Sequence, residues 1–272
     1  LERCKFLSIF TSNLDEFFMI RVGSLCDMAA VDKDQIDNKS GMTAKEQLRH
    51  IYAAVEPLYA RRDEAFADVD ARLCAEGLRR LSVRDLEPAE QKYIKQYFKN
   101  VVAPVLSPQI VDAHHPFPHL EGKVLHIAAL LGHKKSERLG LLPVPASLPA
   151  LVFLPGEEKR YVPIEDILLE YTGHVFEMYD VLEKTVFCVT RNADINPDDE
   201  TFGAEEGDFR KKMEKLLRQR RRMAVVRVEL TRPISDHFTE YFRKRFDVSD
   251  AQIFLSRKAP LQMSYAFSLG EH

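Results

Sequence analysis

Residues 11–20, Thr-Ser-Asn-Leu-Asp-Glu-Phe-Phe-Met-Ile, lie inside an apolar pattern that predicts an amphipathic helix over about residues 1–30. Apolar side chains recur at helical spacing along two faces of this segment. One stripe contains Phe6, Ile9, Phe10, Phe17 and Ile20, and the second contains Leu7, Leu14, Phe18 and Leu25. The chain therefore opens with a helix that carries apolar residues on two faces.

Asn13 lies in the middle of the first stripe, four residues after Ile9 and four before Phe17. A primary amide at such a position is expected to be buried or half-buried, and a buried amide needs hydrogen-bond partners. One interpretation is a core asparagine bonded within its own protein. The other is an amide directed at a ligand. Because an amide both donates and accepts hydrogen bonds, it suits the edge of a nucleobase.

Three helices are predicted in the first hundred residues. After the opening helix, a polar stretch at residues 32–41 interrupts the apolar pattern. Thr43 and Glu46 then form a capping box at the start of a long second helix, and Gly77 is placed to end it. A third helix is predicted from Pro88, because proline is favoured at the first helical position.

Short apolar runs replace the helical pattern after about residue 105, and they predict buried strands. These runs are residues 124–131, 139–144, 151–154, 185–190 and 224–230, with short helices predicted at 164–171, 209–217 and 234–245. Helices followed by mixed elements indicate an α+β chain. We therefore predict an N-terminal all-α domain at residues 1–104 and a mixed α/β domain at residues 105–272.

The composition is that of a globular protein, with 45% hydrophobic and 30% charged residues. A net charge of −3 gives no bulk attraction to nucleic acid, so we expect no nucleic-acid partner. Four scattered cysteines without CxxC spacing predict reduced thiols in a cytoplasmic protein and no zinc site. We expect no transmembrane segment and no signal peptide. Because the chain lacks an initiator Met and opens inside a helical pattern, we expect a fragment cut at both ends.

We predict structural roles for two charged residues near Asn13. Asp15 is predicted to be a structural or helix-surface carboxylate, because adjacent carboxylates on a helix point about 100° apart and do not converge on one site. Arg21 has two interpretations, contact with a phosphate or an ion pair with Glu16 or Glu2. We favour the ion pair.

Polar clusters in the second half of the chain also have two interpretations each. The run from His114 to His119 contains two prolines, which favour a rigid loop over a metal site. Arg191, Asn192 and Asp194 close a predicted strand, where a turn is a simpler account than a ligand site. Residues 208–222 carry eight positive and two negative side chains, a local charge of +6. That segment is either a solvated helix face neutralised by the acidic residues before it, or a patch that attracts a polyanion.

Several long, separated blocks of the chain carry a family pattern. They are residues 1–22 with Ser-Asn-Leu-Asp-Glu-Phe at 12–17, Tyr97-Phe98 with Pro104-Val105-Leu106-Ser107-Pro108, Val111 to Pro118, Phe187-Cys188-Val189-Thr190-Arg191-Asn192-Ala193-Asp194, and Phe246 to Leu269. These blocks resemble the bacterial polyphosphate kinases that work through a phosphohistidine. The resemblance runs nearly from end to end, which makes it far more specific than a short motif.

Polyphosphate kinases of this type have an N-terminal helical domain, a head domain and two C-terminal domains similar to phospholipase D. The resemblance implies reversible transfer of the terminal phosphate between ATP and polyphosphate, with Mg²⁺ required by the whole enzyme and no Mg²⁺ ligand in this chain. It implies that the N-terminal domain covers the adenine, that Asn13 binds ATP, and that residues 105–272 form the head domain and a homo-oligomer contact. The ligand interpretation of Asn13 is then favoured over the core interpretation.

The resemblance also implies what the chain lacks. It stops at His272, about where the head domain should end, so the phosphorylated histidine of the C-terminal half is absent. We do not expect any of the nine histidines in this chain to take its place as the phosphorylated residue. We expect the fragment alone to be inactive. The alternative is a non-catalytic module whose basic segment around residues 210–222 holds a polyanion, polyphosphate before nucleic acid, or a partner protein.

Overall fold

The computed structural model describes residues 1–31, 34–112, 117–134, 136–192 and 224–271. Helices fill most of the first hundred residues, and two β-sheets with short helices follow them. The predicted α+β class, with helices first and mixed elements second, is confirmed. Within the described ranges, no helix combines the length and apolarity needed to cross a membrane.

The opening helix predicted over residues 1–30 is confirmed. It consists of α1 (Glu2–Phe17), one π-helical turn (Phe18–Val22) and α2 (Gly23–Val31), which follow one another without a break. The second apolar stripe faces inward, with Leu14, Phe18 and Leu25 all buried. This stripe therefore sets which side of the helix packs onto the rest of the protein.

The long second helix, α3 (Ala44–Ala75), starts at the predicted capping box. The hydroxyl of Thr43 accepts a hydrogen bond from the backbone N–H of Glu46 at 3.3 Å, and the Glu46 carboxylate accepts one from the backbone N–H of Thr43 at 2.9 Å. Gly77 follows the helix with a φ of +87°, in the left-handed region that glycine tolerates best. Both ends of α3 thus follow from local sequence chemistry.

The third helix, α4 (Pro88–Tyr97), begins at the predicted proline and continues through a second π-helical turn (Phe98–Val102). Its residues Ile94, Phe98 and Val102 share a buried cluster with strand residues from the second half of the chain. The helix therefore packs against the sheets as part of their core. The domain boundary between residues 104 and 105 stays a prediction.

Nine strands form two sheets in the described residues. The strands are β1 (Leu78–Arg80), β2 (Gln109–Val111), β3 (Leu125–His133), β4 (Ser136–Pro143), β5 (Leu151–Phe153), β6 (Lys159–Pro163), β7 (Asp180–Arg191), β8 (Val225–Leu230) and β9 (Ile253–Leu255). The larger sheet has the order β2-β4-β3-β7-β8-β9, with β8 and β9 parallel and the other pairs antiparallel. The smaller sheet has the order β1-β6-β5. All five predicted strands are confirmed.

Helices cover both faces of the larger sheet. The short helices are α5 (Ile164–Glu170), α6 (Thr172–Val175) and α7 (Asp236–Phe246). Side chains alternate along β7, so that Val186 joins the cluster with α4 and α5 whereas Phe187 joins the cluster with α7. Helices α1 and α3 lie against the β8–β9 end, where Val226 and Phe254 complete their core. The helix that carries Asn13 is therefore supported directly by the central sheet.

Candidate functional site

Asn13 is exposed to solvent, which corrects the expectation that the first stripe is buried. The apolar residues around it are exposed as well, with 68% of Phe6, 41% of Ile9, 38% of Phe17 and 53% of Ile20 accessible. No hydrogen bond to the Asn13 side chain is found within the described residues. The core interpretation of Asn13 is therefore wrong for this chain. Both stripes have helical periodicity, but it is the second one that packs against the rest of the protein.

The opposite side of the same helix is fixed by packing. Phe18 is fully buried and its ring lies 5.9 Å from that of Phe254 on β9 and 6.1 Å from that of Tyr52 on α3. The Tyr52 hydroxyl donates a hydrogen bond to the backbone carbonyl of Val226 on β8 at 3.2 Å. Helix α1 is thus held between α3 and the sheet, and its outward face has a defined orientation.

Asp15 ties the helix to the sheet through a buried arginine. Its carboxylate accepts a hydrogen bond from Arg227, which is 1% exposed in the middle of β8. Arg227 also pairs with Glu229 at 3.1 Å and donates to the hydroxyl of Thr190 at 2.7 Å. Its guanidinium lies 4.6 Å from the centre of the Phe18 ring, within cation–π range. The structural interpretation of Asp15 is confirmed.

The electrostatics of this cluster keep Arg227 charged. Burial alone would lower the pKa of Arg227, but Glu229, Tyr59 and Asp15 together raise it above its ordinary value. Burial raises the pKa of Asp15, and the positive charge of Arg227 opposes that shift. Burial and the charge of Glu229 likewise raise the pKa of Tyr59, whose hydroxyl donates to the Glu229 carboxylate at 2.7 Å. One guanidinium thus organises groups from α1, α3, β7 and β8.

Arg227 and Glu229 were not singled out in the sequence as special. Residues 225–230 read Val-Val-Arg-Val-Glu-Leu, and all six are buried. The sequence did contain a sign of the ion pair: Arg227 and Glu229 carry opposite charges two positions apart in an apolar strand, so their side chains lie on the same face of the sheet. A buried charge is tolerated only with partners, so the pattern predicted a network without identifying its members.

A second link joins α2 to the sheet. The side-chain amide of Asn192 donates to the carboxylate of Asp27 at 2.8 Å. Gly23 leaves room for this contact, because a Cβ at that position would lie 2.3 Å from the Asn192 amide oxygen. Asn192 was expected to serve a turn together with Asp194, which lies outside the described residues. The structure instead gives the Asn192 side chain a role between elements.

Arg21 does not form the expected ion pair. Its guanidinium lies 3.5 Å from the amide oxygen of Gln47 on α3, and no pair with Glu16 or Glu2 is found in the described ranges. Glu2 instead pairs with Lys5 at 2.8 Å. The prediction was wrong because it considered partners only along one helix, whereas α3 lies close by.

Some candidates fall outside the described residues. These are the basic segment 208–222, the acidic residues that precede it, and residues 114–116 of the histidine-proline run. Among the residues that the structure does describe, no group of three or more His, Cys, Asp and Glu is arranged to hold a metal ion.

Comparisons with known proteins agree with this architecture. The family described as "Polyphosphate kinase N-terminal domain" matches residues 1–81, and "Polyphosphate kinase middle domain" matches residues 89–269. Polyphosphate kinases of Bacillus anthracis and Exiguobacterium sibiricum are 36% and 37% identical to the chain over 99% and 98% of its length. The chain spans only 39% and 37% of the length of these two relatives.

A solved structure shares the fold. The crystal structure of polyphosphate kinase from Porphyromonas gingivalis superposes with a TM-score of 0.70 at 22% sequence identity. The match covers 97% of this chain and 36% of the other. The two family segments together span almost all of the residues from 1 to 269, and the middle-domain segment alone exceeds half of the chain. The chain therefore belongs to the polyphosphate kinase family, of which it carries the N-terminal and middle domains.

Proposed function

We propose that this chain is the nucleotide-binding and oligomer-forming part of an enzyme that reversibly transfers the terminal phosphate of ATP to polyphosphate. The observation that carries the proposal is the exposed amide of Asn13, set among exposed apolar side chains on a helix that the sheet holds in place. ADP is then the product of the forward reaction. The family membership supports the reaction class, and the geometry supports the role of Asn13.

The face around Asn13 suits a nucleobase. A base is flat and apolar on its two faces and carries hydrogen-bond donors and acceptors along its edge. The apolar side chains of Ile9 and Phe17 lie one turn to either side of the Asn13 amide, which offers both a donor and an acceptor. Contact with a base would bury part of this apolar surface and give the amide partners.

The orientation of Asn13 is set before any ligand arrives. Asp15 binds Arg227 and Phe18 packs against Phe254, so α1 cannot turn without breaking buried contacts. A ligand therefore meets an ordered surface and loses less free energy in ordering it. Within this proposal the described residues bind and orient the nucleotide, and the chemical step belongs to groups beyond residue 272. The isolated chain is then expected to give no turnover.

The test is polyphosphate synthesis by the complete gene product as a function of ATP concentration. Replacing Asn13 by Ala removes the amide and should lower kcat/KM for ATP by about 5- to 150-fold, since lost hydrogen bonds of this kind cost roughly 1–3 kcal/mol. Asn13→Asp keeps an acceptor but loses the donors, so it should also be impaired. Asn100→Ala, at another exposed asparagine on α4's π-helical continuation, is the matched control.

Each outcome has a clear meaning. A loss with Asn13→Ala but not with Asn100→Ala, at unchanged thermal stability, would support nucleotide contact. Unchanged ATP kinetics in Asn13→Ala would refute it and leave the apolar face as a surface for packing alone. No polyphosphate formation by the unaltered gene product would refute the proposed reaction itself.

A further inference from the structure

A cavity of about 600 Å³ opens between the C-terminal half of α3, strand β1 and the loop after β9. It is distinct from the Asn13 face, whose residues do not line it. Five cationic side chains lie along its wall, namely Arg79, Arg80, Arg232, Arg257 and Lys258. Its size is that of an ordinary small-molecule site.

The charge of this cavity is net positive. Its carboxylates are Asp70, Glu165 and Asp166, so the five cations exceed them by two. Asp166 already pairs with Arg80 at 3.2 Å. Burial and the neighbouring charge of Asp166 raise the pKa of Glu165 to about 7, which leaves Glu165 partly neutral near neutral pH.

The other four cations are available to a ligand. Arg79, Arg232, Arg257 and Lys258 are all exposed, and none forms an ion pair with another residue in the described part of the chain. Arginine is well suited to phosphate because its guanidinium can donate two parallel hydrogen bonds to one phosphoryl group. Several such groups around one cavity favour a ligand that carries more than one negative charge.

The loop after β9, which carries Arg257 and Lys258, is held by hydrogen bonds to α3. The carboxylate of Asp63 on α3 accepts hydrogen bonds from the backbone N–H groups of Arg257, Lys258 and Ala259 at 2.7, 3.1 and 2.9 Å. The hydroxyl of Ser256 also donates to Asp63, at 3.2 Å. The backbone of this loop is therefore ordered in the absence of a ligand, and only the two side chains need to settle upon binding.

Arg80 is held at the same wall by two hydrogen bonds. Its two terminal nitrogens reach Asp166 at 3.2 Å and the backbone carbonyl of Lys258 at 3.4 Å. Its Nε–H is buried and has no hydrogen-bond partner among the described residues. Because the Nε–H has almost no exposed surface, Arg80 contributes its charge to the cavity and no donor from this nitrogen.

We propose that this cavity binds the phosphoryl groups of a short inorganic phosphate chain. Charge and hydrogen-bond donors for phosphoryl oxygens come from the four exposed cations, Arg79, Arg232, Arg257 and Lys258. Phe66 is the aromatic residue in the wall, and it is buried beneath the guanidinium of Arg80 at 5.6 Å. No aromatic face is therefore open for base stacking in the described wall, which favours an inorganic chain over a nucleotide.

Calorimetric titration of the chain of residues 1–272 with tripolyphosphate tests this proposal, with orthophosphate and ATP as comparison ligands. Tripolyphosphate should bind most tightly, and its affinity should weaken as salt rises. Arg257→Gln combined with Lys258→Gln should weaken it at least tenfold. The control combines Lys244→Gln with Arg245→Gln, which also removes one lysine and one arginine charge, but from exposed positions on α7. It should change the affinity for tripolyphosphate less than twofold.

Cys74 provides a second readout, because it is exposed and lines the same cavity. Tripolyphosphate should slow its alkylation by iodoacetamide at least threefold, measured by mass spectrometry of the Cys74 peptide. Equal losses from the two double variants, tighter binding of ATP than of tripolyphosphate, absence of binding, or an unprotected Cys74 would each overturn the proposal. Binding is measured without turnover, so these outcomes do not depend on whether Asn13 contacts the nucleotide.

Discussion

Replacing Arg227 by Met should destabilise the protein strongly, because the loss leaves buried carboxylates without their main cation. Glu229 is almost fully buried and Asp15 is half-buried, and both pair with Arg227. Removing one partner of a buried ion pair costs about 3–5 kcal/mol. Arg62 remains 3.9 Å from Glu229 and compensates in part, so we expect the lower end of that range.

The assay is urea unfolding followed by far-ultraviolet circular dichroism, which suits a chain without tryptophan. Arg243→Met is the matched control, since Arg243 pairs with Glu240 and Asp250 at the surface of α7. Surface pairs contribute little to stability, so this variant should be close to the unaltered protein. The contrast between the two arginines measures what burial adds to the interaction.

A milder variant keeps the test informative if Arg227→Met does not fold. Tyr59→Phe removes a hydroxyl that donates to Glu229 at 2.7 Å and accepts from Arg227 at 3.2 Å. The loss should be about 1–3 kcal/mol, because buried groups are left unsatisfied. Equal stabilities of the Tyr59→Phe, Arg243→Met and unaltered proteins would refute the idea that this cluster anchors α1.

Two further predictions concern a buried acid and a crowded glycine. Because folding raises the pKa of Glu165 from 4.5 to about 7, the free energy of unfolding should fall as pH rises through this interval. Glu165→Gln should remove up to about 3 kcal/mol of that fall. Urea titrations of both proteins at pH 5 and pH 8 measure the fall, and the same pH dependence in the variant would contradict the prediction. Gly23→Ala should lower the melting temperature, because the added Cβ would displace the Asn192 side chain that is bonded to Asp27. Gly173→Ala is the control and should leave the melting temperature unchanged, because a Cβ added there has open space around it. Equal melting temperatures of the two variants would contradict the prediction.

Local sequence chemistry predicted the helices well. The capping box at Thr43, the proline start at Pro88 and the glycine after α3 each depend on residues within one turn of the helix end. The five predicted strands were found because each contains a run of at least four mostly apolar residues. Four strands were missed. Strands β1, β2 and β9 have only three residues each, too few to show a period. Strand β6 has five residues, but it begins with Lys159 and Arg160 and ends in proline, so it shows no apolar run.

The candidate site was predicted in part. Asn13 was identified by its place in an apolar stripe, but its exposure was wrong because periodicity gives the faces of a helix without telling which face the protein covers. Arg227 was missed because it lies 212 residues from its partner Asp15. The cationic cavity was missed for the same reason, since α3, β1 and the loop after β9 meet only in the fold.

The short stretch Asn13-Leu14-Asp15 presents an exposed amide on one side of a helix and an anchoring carboxylate on the other. Residues two positions apart point about 200° from each other around a helix, so the Asn13 amide and the Asp15 carboxylate face nearly opposite directions. Asp15 and Leu14 hold the helix against the sheet, while Asn13 faces outward among apolar side chains. Anchoring therefore does not compete with ligand contact, and a bound nucleotide would need no rearrangement of the buried cluster. Under the proposed function, stability should depend on Arg227 and its partners and nucleotide affinity on Asn13, because Asp15 and Asn13 lie on different faces of α1.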